Sequence, residues 1–261
     1  MALPLIRSSP RKYRDLARQL KAVQRNRFHG IELHIDDPRG IDAREIDKLL
    51  ESFGLELAAI GTGMTYSKFG LSFLDDRSDV RAAAVNRVHE YIRLGSDLNC
   101  AVILALIRGR YSAGLGRDRA ELILSKTLGE IYRYANNAGT RLLLEPVNRY
   151  ELNLIHTLSS AAKTVKQSRT PGMKILADTF HMNIEEDSAT SAIRSFRPCI
   201  GHVHLADCNR GAPGQGHIDF AAILDTLKTS KYKDWVCAEI IFKPDEYEAL
   251  RQTSSAIHPL L

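Results

Sequence analysis

Four short apolar segments in the second half of the chain each carry an ionisable side chain at or near their end. They read Leu142-Leu143-Leu144-Glu145, Ile175-Leu176-Ala177-Asp178, Gly201-His202-Val203-His204 and Val236-Cys237-Ala238-Glu239. Their last residues are 33, 26 and 35 positions apart, about one β-strand plus one helix each time. Carboxylates gathered in a dry site repel one another by several kcal/mol unless a cation joins them. The pattern therefore predicts a metal site formed by Glu145, Asp178, His204 and Glu239.

The residue types also indicate the ion. Three carboxylates and one imidazole are mostly hard oxygen ligands, which suit Mn²⁺ or Mg²⁺, with Co²⁺ and Zn²⁺ as alternatives. We expect one divalent ion, with Mn²⁺ favoured. His202 and His204 share a strand face because they are two positions apart, and His204, nearer the strand end, is the expected ligand. His202 is expected in the core or behind the ligand.

Three more polar residues follow the proposed ligands at short distance. Glu151, His181 and Arg210 lie six, three and six positions after the ligands of their segments. Each of them alone is typical of a solvated loop. Grouped above a metal, they are typical of side chains that hold a polyhydroxylated substrate.

These residues need a scaffold that brings successive strand ends together. Eight apolar segments have the character of strands: Ala2–Ile6, Gly30–Ile35, Leu55–Gly61, Ala101–Ile107, Arg141–Glu145, Met173–Asp178, Ile200–Ala206 and Trp235–Ile240. Amphipathic patterns predict helices at Lys12–Asn26, Asp42–Phe53, Asp79–Leu98, Arg119–Ala138, Leu158–Ser168, Ser188–Phe196, Phe220–Thr229 and Asp245–Ile257.

This alternation predicts the α/β class. Nearly continuous apolar runs are typical of parallel strands covered on both faces. Eight strand–helix units predict a (β/α)8 TIM barrel, a single domain over residues 1–261, with its active site at the carboxyl ends of the strands. An open doubly wound sheet is the alternative, although no G-x-G-x-x-G motif follows the first strand.

Composition narrows the class of protein. The chain has 261 residues, 44% of them apolar and 26% charged, which is ordinary for a globular protein and argues against disorder. No apolar run approaches the length of a membrane span. The four cysteines are widely spaced and the chain opens without a signal-peptide pattern, so we expect a reduced, cytoplasmic protein.

The part of the chain from Glu145 to Glu239 resembles a known family. It is similar to the sugar isomerases and epimerases among the xylose isomerase-like TIM barrels, typified by D-tagatose and D-psicose 3-epimerases. The matching stretches are Glu-Pro-Val-Asn-Arg-Tyr-Glu (145–151), Ala-Asp-Thr-Phe-His-Met-Asn (177–183), Gly-His-Val-His-Leu-Ala-Asp-Cys-Asn-Arg (201–210) and Pro-Gly-Gln-Gly-His-Ile-Asp-Phe (213–220). The likeness is looser over residues 30–110.

The resemblance implies a role for each candidate residue. Glu145, Asp178, His204 and Glu239 would be the metal ligands, and Glu151, His181 and Arg210 would hold O1 to O3 of a ketose. The implied reaction is epimerisation at C3 through an enediolate. Glu145 and Glu239 would form the acid/base pair, in which one removes the C3 proton and the other returns a proton on the opposite face.

Other activities share this scaffold. The same site could carry out aldose–ketose isomerisation, an inosose or dehydroshikimate dehydration, or hydroxypyruvate isomerisation. An abasic-site endonuclease would need further histidines after the third and fourth strands, where Gly61-Thr62-Gly63 and Arg108-Gly109-Arg110 stand instead. A non-catalytic sugar-binding barrel is a third alternative, against which the pair Glu145 and Glu239 argues.

The expected partner is a small sugar rather than nucleic acid or a membrane. The net charge of +5 comes largely from helices and loops such as residues 7–27, where a solvated face is the ordinary explanation. Arg108, Arg110 and Arg210 are expected near the rim, where they bear on whether the sugar carries a phosphate. The sequence leaves the oligomeric state open, and a homo-dimer or homo-tetramer is compatible with it.

Overall fold

The computed structural model describes residues 2–5 and 10–260, with side chains from residue 13 onward. Eight strands form one sheet in chain order, and every neighbouring pair is parallel. They are β1 (Ala2–Leu5), β2 (Gly30–Ile35), β3 (Glu56–Gly61), β4 (Ala101–Leu104), β5 (Leu142–Leu144), β6 (Lys174–Asp178), β7 (Ile200–Leu205) and β8 (Trp235–Ala238). This is the strand order of a TIM barrel, so the predicted fold class is confirmed. Ile6, the last residue of the first predicted strand, lies outside the described residues.

Helices connect these strands. They are α1 (Pro10–Arg25), α2 (Ala43–Phe53), α3 (Gly63–Phe69), α4 (Ser78–Asp97), α5 (Arg117–Ala138), α6 (Leu158–Gln167), α7 (Thr179–Glu185), α8 (Ala189–Phe196), α9 (Phe220–Thr229) and α10 (Glu246–Ile257). The sequence pattern did not predict α3 or α7, which follow β3 and β6 directly. None of the helices within residues 10–260 combines the length and the apolar character needed to cross a lipid bilayer.

Local signals account for where several helices begin and end. The side chain of Asp42 accepts a hydrogen bond from the backbone of Arg44 at the start of α2, and that helix ends at Gly54 with φ of 62°. Asp219 and Asp245 cap α9 and α10 in the same way. These caps turn the chain at the joints between strand and helix.

The apolar core has two parts. The larger one lies between the sheet and the helices and includes Ile60, Val102 and Leu144. The smaller one is made of Ala59, Ala101, Ile103, Ala105, Leu143, Val147, Leu152 and Leu176. Alternate residues of β3, β4 and β5 fall into different parts, as expected for strands covered on both faces. Glu145 follows Leu143 by two positions, so it projects on the face of the smaller cluster.

Candidate active site

The four proposed metal ligands meet at the carboxyl ends of β5 to β8. Asp178, the last residue of β6, pairs in register with His204 of β7, while Glu145 and Glu239 directly follow β5 and β8. One ligand atom from each of the four residues lies within 4.8 Å of the others. Adjacent parallel strands in this register place the four side chains around one point.

Two atoms of this cluster are buried without a hydrogen-bond partner among the described residues. They are Nδ1 of His204 and Oε1 of Glu145, which lie 3.8 Å apart. His204 Nδ1 is also 3.5 Å from Oδ2 of Asp178 and 3.1 Å from Oε2 of Glu239. A buried nitrogen surrounded by carboxylate oxygens is costly unless a cation lies between them, so the donor set fits a divalent metal.

Arg210 neutralises part of this acidic cluster. Its guanidinium donates to both carboxylate oxygens of Asp178, at 2.8 and 2.7 Å, and to Oε2 of Glu239. The ring of Phe180 lies 4.9 Å from the guanidinium carbon and supports it. Burial alone would raise the pKa of Glu239, but the charges of Arg210 and His204 outweigh burial and lower it to about 2. The same kind of pairing holds the pKa of Asp178 well below its usual value against the effect of burial.

A further carboxylate, Glu32, lies beneath the cluster and was not predicted from the sequence. It is fully buried on β2, and its Oε2 accepts a hydrogen bond from Nε2 of His204 at 2.9 Å. Its Oε1 lies 2.8 Å from Nε2 of His34, and its Oε2 lies 3.0 Å from Nε2 of His202. Burial would raise the pKa of Glu32, but these histidines outweigh burial and hold the pKa well below its usual range. His202 therefore lies behind His204, as expected.

His34 was also missed, and it connects Glu32 to the rim. Its Nε2 lies 3.5 Å from Oε1 of Glu239, and the side chain lines the cavity above the cluster. The imidazole packs against Gly61 of β3, where a Cβ would lie 3.0 Å from ring atoms Cε1 and Nδ1. Glutamate and histidine alternate with Leu33 on β2, which is the sequence signal that could have revealed both residues.

The remaining predicted residues surround the same cavity. Asp178 caps α7 by accepting from the backbone of Phe180 and His181, which brings His181 into the first turn, with Nε2 3.9 Å from Oε1 of Glu145. Asn148, which the sequence pattern did not predict, lies between His181 and Glu151: its side-chain nitrogen is 2.8 Å from His181 Nδ1 and 2.9 Å from Glu151 Oε1. Glu151, His181 and Arg210 all line the cavity. The structure thus brings together the seven residues that the sequence predicted as metal ligands or substrate contacts.

The cavity above the cluster has a polar floor and an apolar wall. Its volume is about 170 Å³, below the roughly 300–1,000 Å³ typical of pockets for drug-sized ligands, so it suits only a small molecule. The wall is formed by Met64, Ile103, Leu106 and Val147 from the loops and strands of β3 to β5. A sugar has a carbon face as well as hydroxyl groups, so a cavity with these two sides can hold one.

Arg108 departs from expectation. It is only 1% exposed and does not line the cavity. Its guanidinium donates to the backbone carbonyls of Ala105, Leu154 and Glu145, at 3.2, 2.7 and 2.6 Å. Burial lowers its pKa to about 10, so it stays charged at neutral pH. Arg108 is therefore a structural residue that holds the backbone of Glu145, and its expected place at the rim is wrong.

Comparison with known proteins agrees with this geometry. The family model of the xylose isomerase-like TIM barrels matches residues 20–256. The chain belongs to this family. An L-ribulose 3-epimerase of Mesorhizobium japonicum is 32% identical over 222 residues, which cover 84% of this chain and 73% of that relative. Within the family, a solved structure of an L-ribulose 3-epimerase covers all of this chain and 94% of its own, with a TM-score of 0.88 and 26% identity.

A second relative matches over a shorter region. The 3-dehydro-D-guloside 4-epimerase of Escherichia coli is 37% identical over 122 residues, and the match spans 47% of each chain. This relative and the L-ribulose 3-epimerases are all named as sugar epimerases.

Proposed function

We propose that this protein is a divalent-metal-dependent sugar epimerase that inverts C3 of a ketose. The observation that carries the proposal is the placement of Glu145 and Glu239 at one metal-binding cluster beneath a cavity of sugar size. The two glutamates follow β5 and β8, which flank β6 and β7 in the sheet, so they approach the cluster from opposite sides. Inversion of a carbon centre needs a proton acceptor on one face and a proton donor on the other.

Different residues would have different roles in the proposed reaction. Glu145, Asp178, His204 and Glu239 would hold the metal, which when bound polarises a carbonyl and its neighbouring hydroxyl and stabilises an enediolate. One glutamate takes the C3 proton, and the other returns a proton to the opposite face. His181 and Arg210, which line the cavity, would donate hydrogen bonds to the oxygens that gain negative charge. The wall of Met64, Ile103 and Leu106 would pack against the carbon chain of the sugar away from the metal.

The charges around the cavity also favour a particular sugar and metal. Among its described lining residues, Arg210 is the one lysine or arginine, and Asp178 and Glu239 already pair with it. A phosphate would meet Glu145, Glu151 and Glu239 without a free cation, so we favour an unphosphorylated ketose. Three oxygen donors with one imidazole favour Mn²⁺ as the ion.

Further properties follow from the same observations. The eight strands share one sheet and the family match covers residues 20–256, which supports one domain over residues 1–261. All four cysteines are free thiols, which is typical of a reducing compartment, and we propose the cytoplasm. The sugar-sized cavity makes a small molecule, rather than nucleic acid, the proposed partner.

Solvent exchange at C3 tests this proposal. The full-length protein with Mn²⁺ is incubated in D₂O with ketopentoses, ketohexoses and their phosphates, with L-ribulose first because two relatives are named for it. We expect deuterium at C3 and formation of the C3 epimer for at least one free ketose, both abolished by a chelator. Deuterium at C1 with aldose formation would make the protein an isomerase, and metal-dependent nicking of abasic DNA would make it an endonuclease. Sugar binding without any exchange would make it a binding protein.

A further inference from the structure

One carboxylate contacts three histidines inside the barrel. Glu32 lies 2.8 Å from Nε2 of His34, 2.9 Å from Nε2 of His204 and 3.0 Å from Nε2 of His202. Glu32, His202 and His204 are each at most 1% exposed, so water does not compete for these contacts. A buried carboxylate without such partners would be strongly destabilising, and here each of its oxygens faces at least one imidazole nitrogen.

The chemistry of these contacts determines where the proton of His204 lies. An ionised carboxylate only accepts hydrogen bonds, so the imidazole nitrogen that faces Glu32 must carry the proton. That nitrogen is Nε2 of His204. In the neutral imidazole that binds a metal, the other nitrogen, Nδ1, then presents the lone pair, and this is the atom that lies 3.1 Å from Glu239 and 3.5 Å from Asp178.

We infer that Glu32 is a positioning residue for the metal site: it fixes the tautomer and ring orientation of His204 so that Nδ1 is the ligand. The inference rests on the proposed metal site and adds a residue to it. Carboxylates behind ligating histidines act in this way in other metal sites, where they orient the ring and raise the basicity of the ligand. Glu32 comes from β2, on the side of the barrel away from β5 and β6.

A glutamine at position 32 would keep the shape and lose this function. Its side chain offers one carbonyl oxygen and one NH₂ group in place of two acceptor oxygens. At least one histidine would then face the N–H group of the glutamine amide. The imidazole nitrogen of that histidine would have to give up its proton and accept the hydrogen bond. For His204, this exchange would place the proton on Nδ1, the atom that is needed for the metal.

The other histidines supply a matched control. His202→Gln replaces an equally buried neighbour of Glu32. The amide of the new glutamine can donate a hydrogen bond to the Glu32 carboxylate, and the contact between Glu32 and His204 remains. If the buried network acted only by stabilising the fold, Glu32→Gln and His202→Gln would weaken metal binding equally. If Glu32 acts through His204, only Glu32→Gln weakens metal binding.

Cobalt binding separates these cases without any assay of activity. Co²⁺ is titrated into the chelator-treated full-length wild type, Glu32→Gln and His202→Gln, with the affinity from calorimetry and the ligand field from visible absorption. Thermal melting first confirms that each variant is folded. We expect Glu32→Gln to bind Co²⁺ about 10- to 100-fold more weakly with a shifted visible spectrum, and His202→Gln to match the wild type.

Several outcomes would overturn the inference. Equal affinities for wild type and Glu32→Gln, or an equal loss in both variants, would show that Glu32 has no specific role. Two Co²⁺ ions per wild-type chain would indicate that Glu32, His202 and His204 form a metal site of their own. A wild type that binds no Co²⁺ would instead refute the proposed function itself.

A measurement on the unaltered protein decides the question if Glu32→Gln does not fold. In nitrogen-15 NMR of histidine-labelled wild type with diamagnetic Zn²⁺, the inference predicts that His204 carries its proton on Nε2. A proton on Nδ1 would contradict it.

Discussion

Strands β5 to β8 and strands β2 to β4 meet at the same cavity, but they bring different chemistry to it. Each strand of the first group carries a proposed ligand near its carboxyl end or directly after it, and these four residues form the acidic floor. The second group supplies three of the four wall residues, Met64, Ile103 and Leu106. On β2, Glu32 contacts His204 from behind, and His34, which lines the cavity, contacts both Glu32 and Glu239.

This difference shows how the barrel separates reaction from support. Residues at the strand ends reach the cavity, whereas a residue further down a strand, such as Glu32, can act on it only through another side chain. The two groups are joined by Arg108, which follows β4 and binds the backbone of Glu145 after β5. Substitutions on the two sides should therefore have different effects, and the following predictions are arranged by the size of the effect.

The largest effect is expected on the acidic floor. Glu145→Gln and Glu239→Gln each remove one of the two carboxylates proposed to transfer protons, so the rate of C3 exchange should fall by about 10²- to 10⁴-fold or more. The rate is measured as deuterium incorporation at saturating ketose. Glu121→Gln, on the outer helix α5, is the control and should leave the rate unchanged. Turnover near that of the wild type in either active-site variant would refute the two-glutamate mechanism.

An effect of intermediate size is expected at Arg108, which joins the two groups of strands. Arg108→Met keeps most of the side-chain volume but leaves the carbonyls of Glu145 and Leu154 without their donor, while the carbonyl of Ala105 keeps the backbone N–H of residue 108. The free energy of unfolding should fall by about 2–5 kcal/mol, measured by urea denaturation. Arg110→Met, in the same Ile-Arg-Gly-Arg segment but exposed, should change it by less than about 0.5 kcal/mol. Equal stability of the two variants would contradict the structural role of Arg108.

The smallest effect is expected on the apolar wall. Leu106→Ala removes carbon contacts with the part of the sugar away from the metal, so it should change the preference between ketohexoses and ketopentoses. We expect a change of about tenfold in the ratio of their kcat/KM values, with exchange at C3 retained for both. A complete loss of exchange would place Leu106 in the reaction itself rather than in specificity.

The same comparison explains what the sequence could predict. Glu145, Asp178, His204 and Glu239 were found because each ends an apolar run, and parallel strands bring such ends together. Glu32 was not found because it lies within a strand, where an ionisable residue is read as an exception to the apolar pattern.

Other features were hidden for different physical reasons. Helices α3 and α7 have seven residues each, too few for a helical period to be visible. The segment Ile107-Arg108-Gly109-Arg110 does not reveal which arginine turns inward. That depends on the turn at Gly109, whose φ is 73° and where a Cβ would lie 2.4 Å from Ser72.

The central claim is that one metal ion is held by residues from the ends of four successive strands. A crystal of the full-length protein grown with Mn²⁺, measured near the manganese absorption edge, tests it directly. We predict one anomalous peak within about 2 Å of Nδ1 of His204 and of carboxylate oxygens of Glu145, Asp178 and Glu239. A peak at another site, such as between Glu32 and His202, or no peak at all, would contradict the claim.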